Sequence, residues 1–227
     1  MDAPLPVDLV PTWERFLESQ ESTDYGAVFD DSLLFPLQRR REMDKMLTVA
    51  MGICPEVYCE LGADKGPGVF AWIRSMSRLR RVIACEIRGT PYSHLFEAAF
   101  PHIQFLWLPC SSYAPETVAR VRDWLGSDRI DVLFIDGDKS HFDTDFDLYS
   151  PMVRPGGLCL MHDITDPAPG EAWRKCREGR RYMSIIDTTE SVLAKEREWA
   201  GIPPENGHDA WLQTWCGDSA GVGAIYL

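Results

Sequence analysis

A β-type run passes into a glycine-rich turn in the stretch Val57-Tyr-Cys-Glu60-Leu-Gly62-Ala-Asp-Lys-Gly66-Pro-Gly68. This stretch is the strongest indication of the fold. The run that follows, Val69-Phe-Ala-Trp-Ile, has a helical pattern. A strand that feeds such a turn directs backbone N–H groups and a helix N-terminus at whatever lies beyond the strand. The stretch therefore predicts a nucleotide site that Gly62 and Gly66 line. The alternative is an ordinary strand–turn–helix unit whose glycines only permit tight packing.

The residue at the strand tip indicates which nucleotide this site binds. A dinucleotide fingerprint G-x-G-x-x-G would need glycine at positions 60, 62 and 65, where the chain has Glu60, Gly62 and Lys65. A carboxylate there repels a pyrophosphate, but it suits a ligand with ammonium or sulfonium charge, such as S-adenosylmethionine. A second strand pattern ends in Glu86, at the spacing of about 20 residues at which a carboxylate binds ribose hydroxyls. Glu60 and Glu86 are therefore expected to bracket an adenosyl group.

Short apolar runs alternate with helical patterns along the rest of the chain. This alternation is typical of βαβ units in a buried parallel sheet, and it predicts a doubly wound α/β fold. The predicted strands are 57–61, 81–86, 103–108, 131–136, 157–162, 183–187 and 222–227. The predicted helices lie within 36–52 and near 68–77, 92–99, 115–125, 142–151 and 171–178.

The length of 227 residues and the patterning predict one domain, residues 36–227, preceded by an N-terminal arm or lid, residues 1–35. An insertion around 188–220 precedes the last strand. Its aromatic residues either form a substrate wall or pack locally. The arm either closes over the site or docks on a neighbouring subunit, which would make the protein a homo-oligomer.

Composition narrows the classes of partner. The chain has 23 Lys and Arg residues against 35 Asp and Glu, a net charge of −12, which disfavours nucleic acid and anionic membranes as partners and favours a small molecule. Its 7 Cys residues include no C-x-x-C pair, which is typical of reduced thiols in the cytoplasm. No apolar stretch approaches the ~18 residues of a membrane span, and the first residues lack the basic and apolar pattern of a leader, so we expect neither export nor anchoring.

An ordered set of motifs resembles the class I S-adenosylmethionine-dependent methyltransferases: Glu60-Leu-Gly62, Glu86, Asp131-Val-Leu-Phe-Ile-Asp136-Gly-Asp, Arg154-Pro-Gly-Gly157 and Met161-His-Asp163. The likeness is greatest to the branch with the cephalosporin-hydroxylase-like and the sugar or macrolide O-methyltransferases, followed by the catechol and caffeoyl-CoA O-methyltransferases. It implies a Rossmann-like, seven-stranded, mostly parallel sheet with an antiparallel last strand. It also implies that Glu60 and Gly62 lie near the methionine part of the cofactor, Glu86 on the ribose and Ser111 near the adenine.

Polar residues at the ends of the fourth and fifth strands are candidates for a metal site. Asp136 ends one strand, and His162 and Asp163 end the next, so two carboxylates and an imidazole meet at one edge of the sheet. Such a set suits Mg²⁺ or another divalent cation. The catechol-type relatives have metal ligands at the corresponding positions, with an Asp-Asn pair in place of His162-Asp163. The alternative is that Asp136 only orients cofactor or substrate and that Asp163 caps the following turn.

Lys139 and His141 are the candidates for the general base. Lys139 matches the base position of the catechol-type motif Asp-x-x-Lys, and a desolvated lysine near a divalent ion can have a depressed pKa. His141 follows on the same loop. The resemblance implies O-methylation of a small hydroxylated molecule. An NAD-dependent oxidoreductase and a non-catalytic cofactor-binding protein on the same fold are the alternatives.

Overall fold

The computed structural model describes residues 40–185 and 221–227. The predicted arm 1–35 and the predicted insertion 188–220 lie outside these residues. None of the described helices is long and apolar enough to cross a bilayer. The helices are α1 (Arg40–Met51), α2 (Pro67–Ser75), α3 (Ser93–Ala99), α4 (Pro115–Leu125), α5 (Phe142–Tyr149) and α6 (Pro167–Cys176). The strands are β1 (Val57–Leu61), β2 (Arg81–Cys85), β3 (Gln104–Leu108), β4 (Ile130–Ile135), β5 (Val153–Met161), β6 (Arg181–Ile185) and β7 (Val222–Tyr226).

The strands form one 7-stranded sheet in the order β3-β2-β1-β4-β5-β7-β6. The strands from β3 to β5 are parallel to their neighbours. Strand β7 is antiparallel to both β5 and β6. The chain leaves β1 towards β2 and β3 and returns to β4 on the other side of β1, so the connections diverge between β1 and β4. The predicted fold class is confirmed.

Both faces of the sheet are covered by helices because successive side chains of a strand point to opposite faces. Tyr58 and Phe134 point into the core that α1, α2 and α3 cover, whereas Cys59 and Leu133 point into the core under α4, α5 and α6. Tyr58 stacks on Trp72 of α2 with ring centroids 4.6 Å apart. Burial on both faces explains why the strands are continuous apolar runs in the sequence.

Two elements begin four residues earlier than the sequence pattern predicts. Strand β5 begins at Val153, not at residue 157, and includes Gly156 at φ 76° beside a shift in the β4–β5 register. The Pro-Gly-Gly run had the composition of a turn. Helix α6 begins at Pro167, not at residue 171, because proline fits the first turn of a helix, where no N–H donor is needed.

The edge of the sheet opposite the site is held by Asp131 at the start of β4. Its carboxylate accepts hydrogen bonds from the backbone N–H groups of Glu56 at 2.7 Å and Val57 at 2.8 Å, and from Nε of Arg154. Asp131 therefore ties the starts of β1, β4 and β5 together. These contacts help to set the level at which the three strands end at the other edge.

At that other edge β1 and β4 approach each other closely behind Gly62. A Cβ atom on Gly62 would lie 2.5 Å from the carbonyl oxygen of Asp136, and Gly62 has φ +92°. A side chain is therefore excluded both by space and by backbone conformation. Gly62 is required for β1 to end against β4.

We expect Gly62→Ala to lower the free energy of unfolding by about 2–5 kcal/mol, because ~1–2 kcal/mol of left-handed strain adds to ~1–3 kcal/mol of overpacking. Gly179→Ala is the matched control: Gly179 also has positive φ, +70°, but a Cβ there meets nothing within 4 Å. The control should lose only the strain, about 1–2 kcal/mol. Urea unfolding of both variants measures the difference, and equal losses would refute the close approach.

Candidate active site

The candidate site lies along the carboxyl ends of four neighbouring strands. Hydrogen bonds between the strands continue past their ends, from the N–H of Gly62 to Cys85 at 2.8 Å and from the N–H of Asp136 to Leu61 at 2.8 Å. The N–H of His162 likewise donates to the carbonyl of Ile135 at 3.0 Å. The residues that follow the strands therefore leave the sheet side by side. The divergence between β1 and β4 is the place where open α/β sheets bind ligands.

Glu60, the fourth residue of β1, is buried with 2% exposure. Its Oε2 accepts a hydrogen bond from the hydroxyl of Tyr58 at 2.9 Å. Its Oε1 lies over Gly68 in the first turn of α2, where an added Cβ would be 2.4 Å away. Burial raises the pKa of Glu60 to about 8; the Tyr58 hydrogen bond acts in the opposite direction, and the charges of Asp136, Asp64 and Glu86 add to the rise. Among the residues that the structure describes, the carboxyl group thus has no cationic partner.

Glu86, directly after β2, is held in place by the neighbouring loops. Its Oε2 accepts a hydrogen bond from the backbone N–H of Asp64 at 3.1 Å, and its Oε1 accepts one from the backbone N–H of Arg88 at 3.1 Å. Its side chain is 10% exposed. These bonds fix the carboxylate above the turn that contains Gly66, so its lone pairs have a set direction. Its binding to ribose stays a prediction.

The loop after β3 carries Ser111, the residue expected near the adenine. Its Oγ is buried and has no hydrogen-bond partner among the described residues. Tyr113 of the same loop stacks on the ring of His141, with centroids 4.2 Å apart and planes at 15°. Within the described residues the hydroxyl group of Ser111 therefore makes no hydrogen bond, and its place near the adenine stays a prediction. His141 lies beside this loop.

Beyond β4 and β5, four charged or polar side chains form one cluster, which we call the tip cluster: Asp136, Lys139, His162 and Asp163. Nζ of Lys139 lies 2.6 Å from Oδ1 of Asp136 and 2.6 Å from Oδ2 of Asp163. Nδ1 of His162 lies 3.1 Å from an oxygen of each of the same carboxylates. The structure therefore brings together four of the residues that the sequence singled out.

Opposite charges dominate the protonation of the tip cluster. Burial alone would raise the pKa of both carboxyl groups, but His162 and Lys139 outweigh it and hold the pKa values of Asp136 and Asp163 below their usual values. Burial alone would lower the pKa of His162 and of Lys139. The two carboxylates outweigh it, raising the pKa of His162 to about 10 and that of Lys139 above its usual value. The expected depressed pKa of Lys139 is therefore wrong for this arrangement.

The donor types and spacing of Asp136, His162 and Asp163 meet the first requirement of a divalent cation site, since one ligand atom from each lies within 4.8 Å of the others. The space between the two carboxylates, however, already holds the ammonium group of Lys139. In this arrangement the cluster does not fit a metal ion, and we derive no chemical step through one. The metal site stays a prediction.

His141 is not part of the tip cluster. Its Nδ1 lies 3.0 Å from Oδ2 of Asp138 and 3.0 Å from Oγ of Ser140, and its side chain is 39% exposed. The carboxylate of Asp138 thus orients the imidazole. Lys139 and His141 are close in sequence, but Lys139 contacts Asp136 and Asp163, whereas His141 contacts Asp138.

The sequence reasoning missed two buried acids next to the site. Asp145 is fully buried on the face of α5 that also carries Phe142 and Phe146, and burial raises its pKa to about 6. Its helical spacing from these aromatic residues was the signal that could have revealed it. Glu42 of α1 is also fully buried; its Oε1 accepts a hydrogen bond from the N–H of Gly221 at 2.8 Å, and its Oε2 lies 3.9 Å from Nε2 of His162. No local pattern marked Glu42.

A sheet of this order, with an acid within β1, an acid after β2 and a glycine between them, agrees with the resemblance to the class I S-adenosylmethionine-dependent methyltransferases. Residues 59–164 match a family model described as a methyltransferase domain. The matched range is just under half of the chain and includes all the predicted site residues. Over these residues the chain is similar to a methyltransferase domain. The alternative of an NAD-dependent oxidoreductase receives no support.

Solved structures share this fold at low sequence identity. An O-methyltransferase from Bacillus cereus in complex with SAH superposes with a TM-score of 0.56 at 12% identity, covering 100% of this chain and 94% of its own. A second structure is the O-methyltransferase TomG from Streptomyces achromogenes, involved in tomaymycin synthesis and in complex with SAM. It superposes with a TM-score of 0.54 at 16% identity, and the match covers 93% of this chain and 88% of TomG. None of the curated proteins compared with the chain matches it in sequence.

The raised pKa of Glu60 predicts proton release when the cofactor binds. Below pH 8 the carboxyl group is mostly protonated, and the ammonium group of the cofactor favours its charged form. We expect the binding of S-adenosylhomocysteine at pH 7 to release about one proton. The affinity should rise as the pH increases from 6 towards 8.

Calorimetry in two buffers with different ionisation enthalpies measures the protons released. Glu60→Gln is the control, because an amide keeps the size of the side chain and does not titrate over this range. The variant should release no proton from this position. Equal proton release by the wild type and the variant would contradict the role of Glu60.

Proposed function

We propose that the protein transfers the methyl group of S-adenosylmethionine to a hydroxyl oxygen of a small molecule. The observation that carries the proposal is the order of the groups along one edge of the sheet. Glu60, Gly62 and Glu86 surround the cofactor crevice, and the tip cluster lies directly beside it on β4 and β5. Both solved structures described above are O-methyltransferases, one with SAH and one with SAM.

The cofactor half of the site binds by charge and by hydrogen bonds. The carboxyl group of Glu60 faces the ammonium or sulfonium charge of the cofactor, and Glu86 accepts hydrogen bonds from the ribose hydroxyls. Gly62 and Gly66, both with positive φ, let the backbone turn without side chains in the way of the ligand. The hydroxyl group of Ser111, which has no hydrogen-bond partner in the described part of the chain, then binds the adenine.

Methyl transfer is an in-line displacement: the acceptor oxygen forms a bond to the methyl carbon, the bond from carbon to sulfur breaks, and the sulfonium becomes a thioether. The hydroxyl proton must leave as this happens. The ammonium group of Lys139 stabilises the negative charge that develops on the acceptor oxygen. Lys139 and His141, which Asp138 orients, are the two candidates for the base, and Lys139 acts as a base only if it first gives up its proton against the two carboxylates that raise its pKa.

We expect Glu86→Ala to weaken S-adenosylhomocysteine binding by about 10- to 100-fold, because hydrogen bonds to a charged group contribute ~1.5–3 kcal/mol. Glu97→Ala, which removes an exposed acid on α3, is the matched control and should bind like the wild type. Calorimetric titration measures both affinities. Binding of NAD in preference to S-adenosylhomocysteine, or an unchanged affinity in Glu86→Ala, would contradict the cofactor assignment.

Lys139→Ala should lower turnover by about 10²- to 10⁴-fold, because it removes the group that stabilises or deprotonates the acceptor oxygen. Cofactor affinity should change little, since Lys139 lies on the acceptor side. Transfer of a labelled methyl group from S-adenosylmethionine to a panel of phenols and sugars measures turnover, and calorimetry measures affinity. His141→Ala is assayed in parallel and identifies the base. Equal losses of turnover and affinity in Lys139→Ala would refute its role.

A further inference from the structure

The two carboxylates of the tip cluster share a cation that the chain itself provides. Nζ of Lys139 is 2.6 Å from both Asp136 and Asp163, and the lysine side chain is 26% exposed. The carboxylates are only 10% and 9% exposed. A buried carboxylate pair needs a cation, because two like charges out of water repel each other. Lys139 meets this need.

A divalent ion between the two carboxylates would compete with the ammonium group of Lys139 for the same carboxylates. An ion on Oδ1 of Asp136 and Oδ2 of Asp163, at the usual Mg–O distance of about 2.0–2.1 Å, would stand close to the ammonium group. Two cations at such a distance repel strongly where water is scarce. The ion and the ammonium group therefore exclude each other.

The third predicted donor, His162, is also oriented against metal binding. Its Nδ1 lies within hydrogen-bond distance of both carboxylates, which accept and do not donate, so this nitrogen carries the hydrogen. A nitrogen with a hydrogen has no lone pair for a metal. The other nitrogen, Nε2, faces Glu42 at 3.9 Å. His162 therefore serves through Nδ1 as a donor to the two carboxylates of the tip cluster.

We propose that Lys139 is the built-in cation of this site and that the enzyme binds its acceptor hydroxyl through Lys139, without a divalent ion. The role of Lys139 towards an acceptor rests on the proposed function, whereas the test measures metal binding and does not depend on that function. An ammonium group has three N–H donors. Two point to the carboxylates, and no described residue other than these carboxylates accepts a hydrogen bond from Nζ. The third donor can therefore hold an acceptor oxygen.

A site that binds the acceptor through Lys139 and not through a metal ion holds a single acceptor oxygen. A metal ion binds two neighbouring oxygens of one substrate at once, whereas one remaining N–H binds a single oxygen. The acceptor therefore needs only one hydroxyl group at the reacting position. We expect an acceptor with two vicinal hydroxyl groups to bind no more tightly than one with a single hydroxyl group.

The test is a titration of the purified full-length protein with Mn²⁺, followed by electron paramagnetic resonance, which distinguishes free from bound Mn²⁺ without an activity assay. We expect no binding by the wild type below millimolar Mn²⁺. Lys139→Met, which keeps the length of the side chain and removes its charge, should bind Mn²⁺ at least about tenfold more tightly, because the two carboxylates lose their cation. Adding Asp163→Asn to this variant should abolish the gain.

Lys175→Met is the matched control. Nζ of Lys175 lies 2.6 Å from Asp143, so it also pairs with a carboxylate, but the lysine side chain is 69% exposed and the pair lies outside the tip cluster. Its removal should leave Mn²⁺ binding unchanged. Circular dichroism checks that each variant is folded.

Micromolar Mn²⁺ binding by the wild type that is lost in Asp163→Asn would overturn the proposal, and this experiment does not need Lys139→Met to fold. A folded Lys139→Met that gains no affinity would also overturn it. S-adenosylhomocysteine binding, measured on the same samples, separates the two ideas. A wild-type protein that does not bind S-adenosylhomocysteine would contradict the proposed function, but it would not change the Mn²⁺ result.

Discussion

The common level at which β1, β4 and β5 end is the constraint on which the site depends. Leu61 is paired with Ile135, and Ile135 with Met161, so the next residues leave the sheet together. Gly62 lets β1 reach this level against the backbone of Asp136. A slip of one residue between two strands would send every side chain of one strand to the other face. The register thus determines both the core and the position of the charged groups.

Two carboxyl groups at this edge respond to burial in opposite ways. Glu60 lies within β1 and has a hydroxyl group, that of Tyr58, as its hydrogen-bond partner, so burial raises its pKa. Asp136 lies one residue beyond β4, where Lys139 and His162 reach it, so its pKa falls. The cost of removing charge from water acts on both groups, and the neighbouring cations decide the outcome. Glu60 is thus poised for a cationic ligand, whereas Asp136 already has cationic partners.

This contrast divides the edge of the sheet into two chemical halves. The half on β1, β2 and β3 has fixed carboxyl groups, tight glycine turns and the hydroxyl group of Ser111, which suit an adenosyl ligand. The half on β4 and β5 has donors held by carboxylates, which suit an oxygen with developing negative charge. The proposed transfer of a methyl group places the reacting atoms between the two halves. Glu42 of α1 also borders the half on β4 and β5, because it lies near His162 and binds the N–H of Gly221.

Local patterns in the sequence predicted the seven strands, the helices and the acids or glycines at the strand ends, because apolar runs, turns and terminal polar residues are contiguous along the chain. The resemblance to a methyltransferase family supplied the antiparallel last strand, which no local pattern encodes. The tertiary structure alone decided that Lys139 lies between Asp136 and Asp163, that His141 lies elsewhere, and that Asp145 and Glu42 are buried. Strand formation follows from neighbouring residues, whereas burial and the pairing of charges follow from distances between side chains on different elements, which only the folded chain sets.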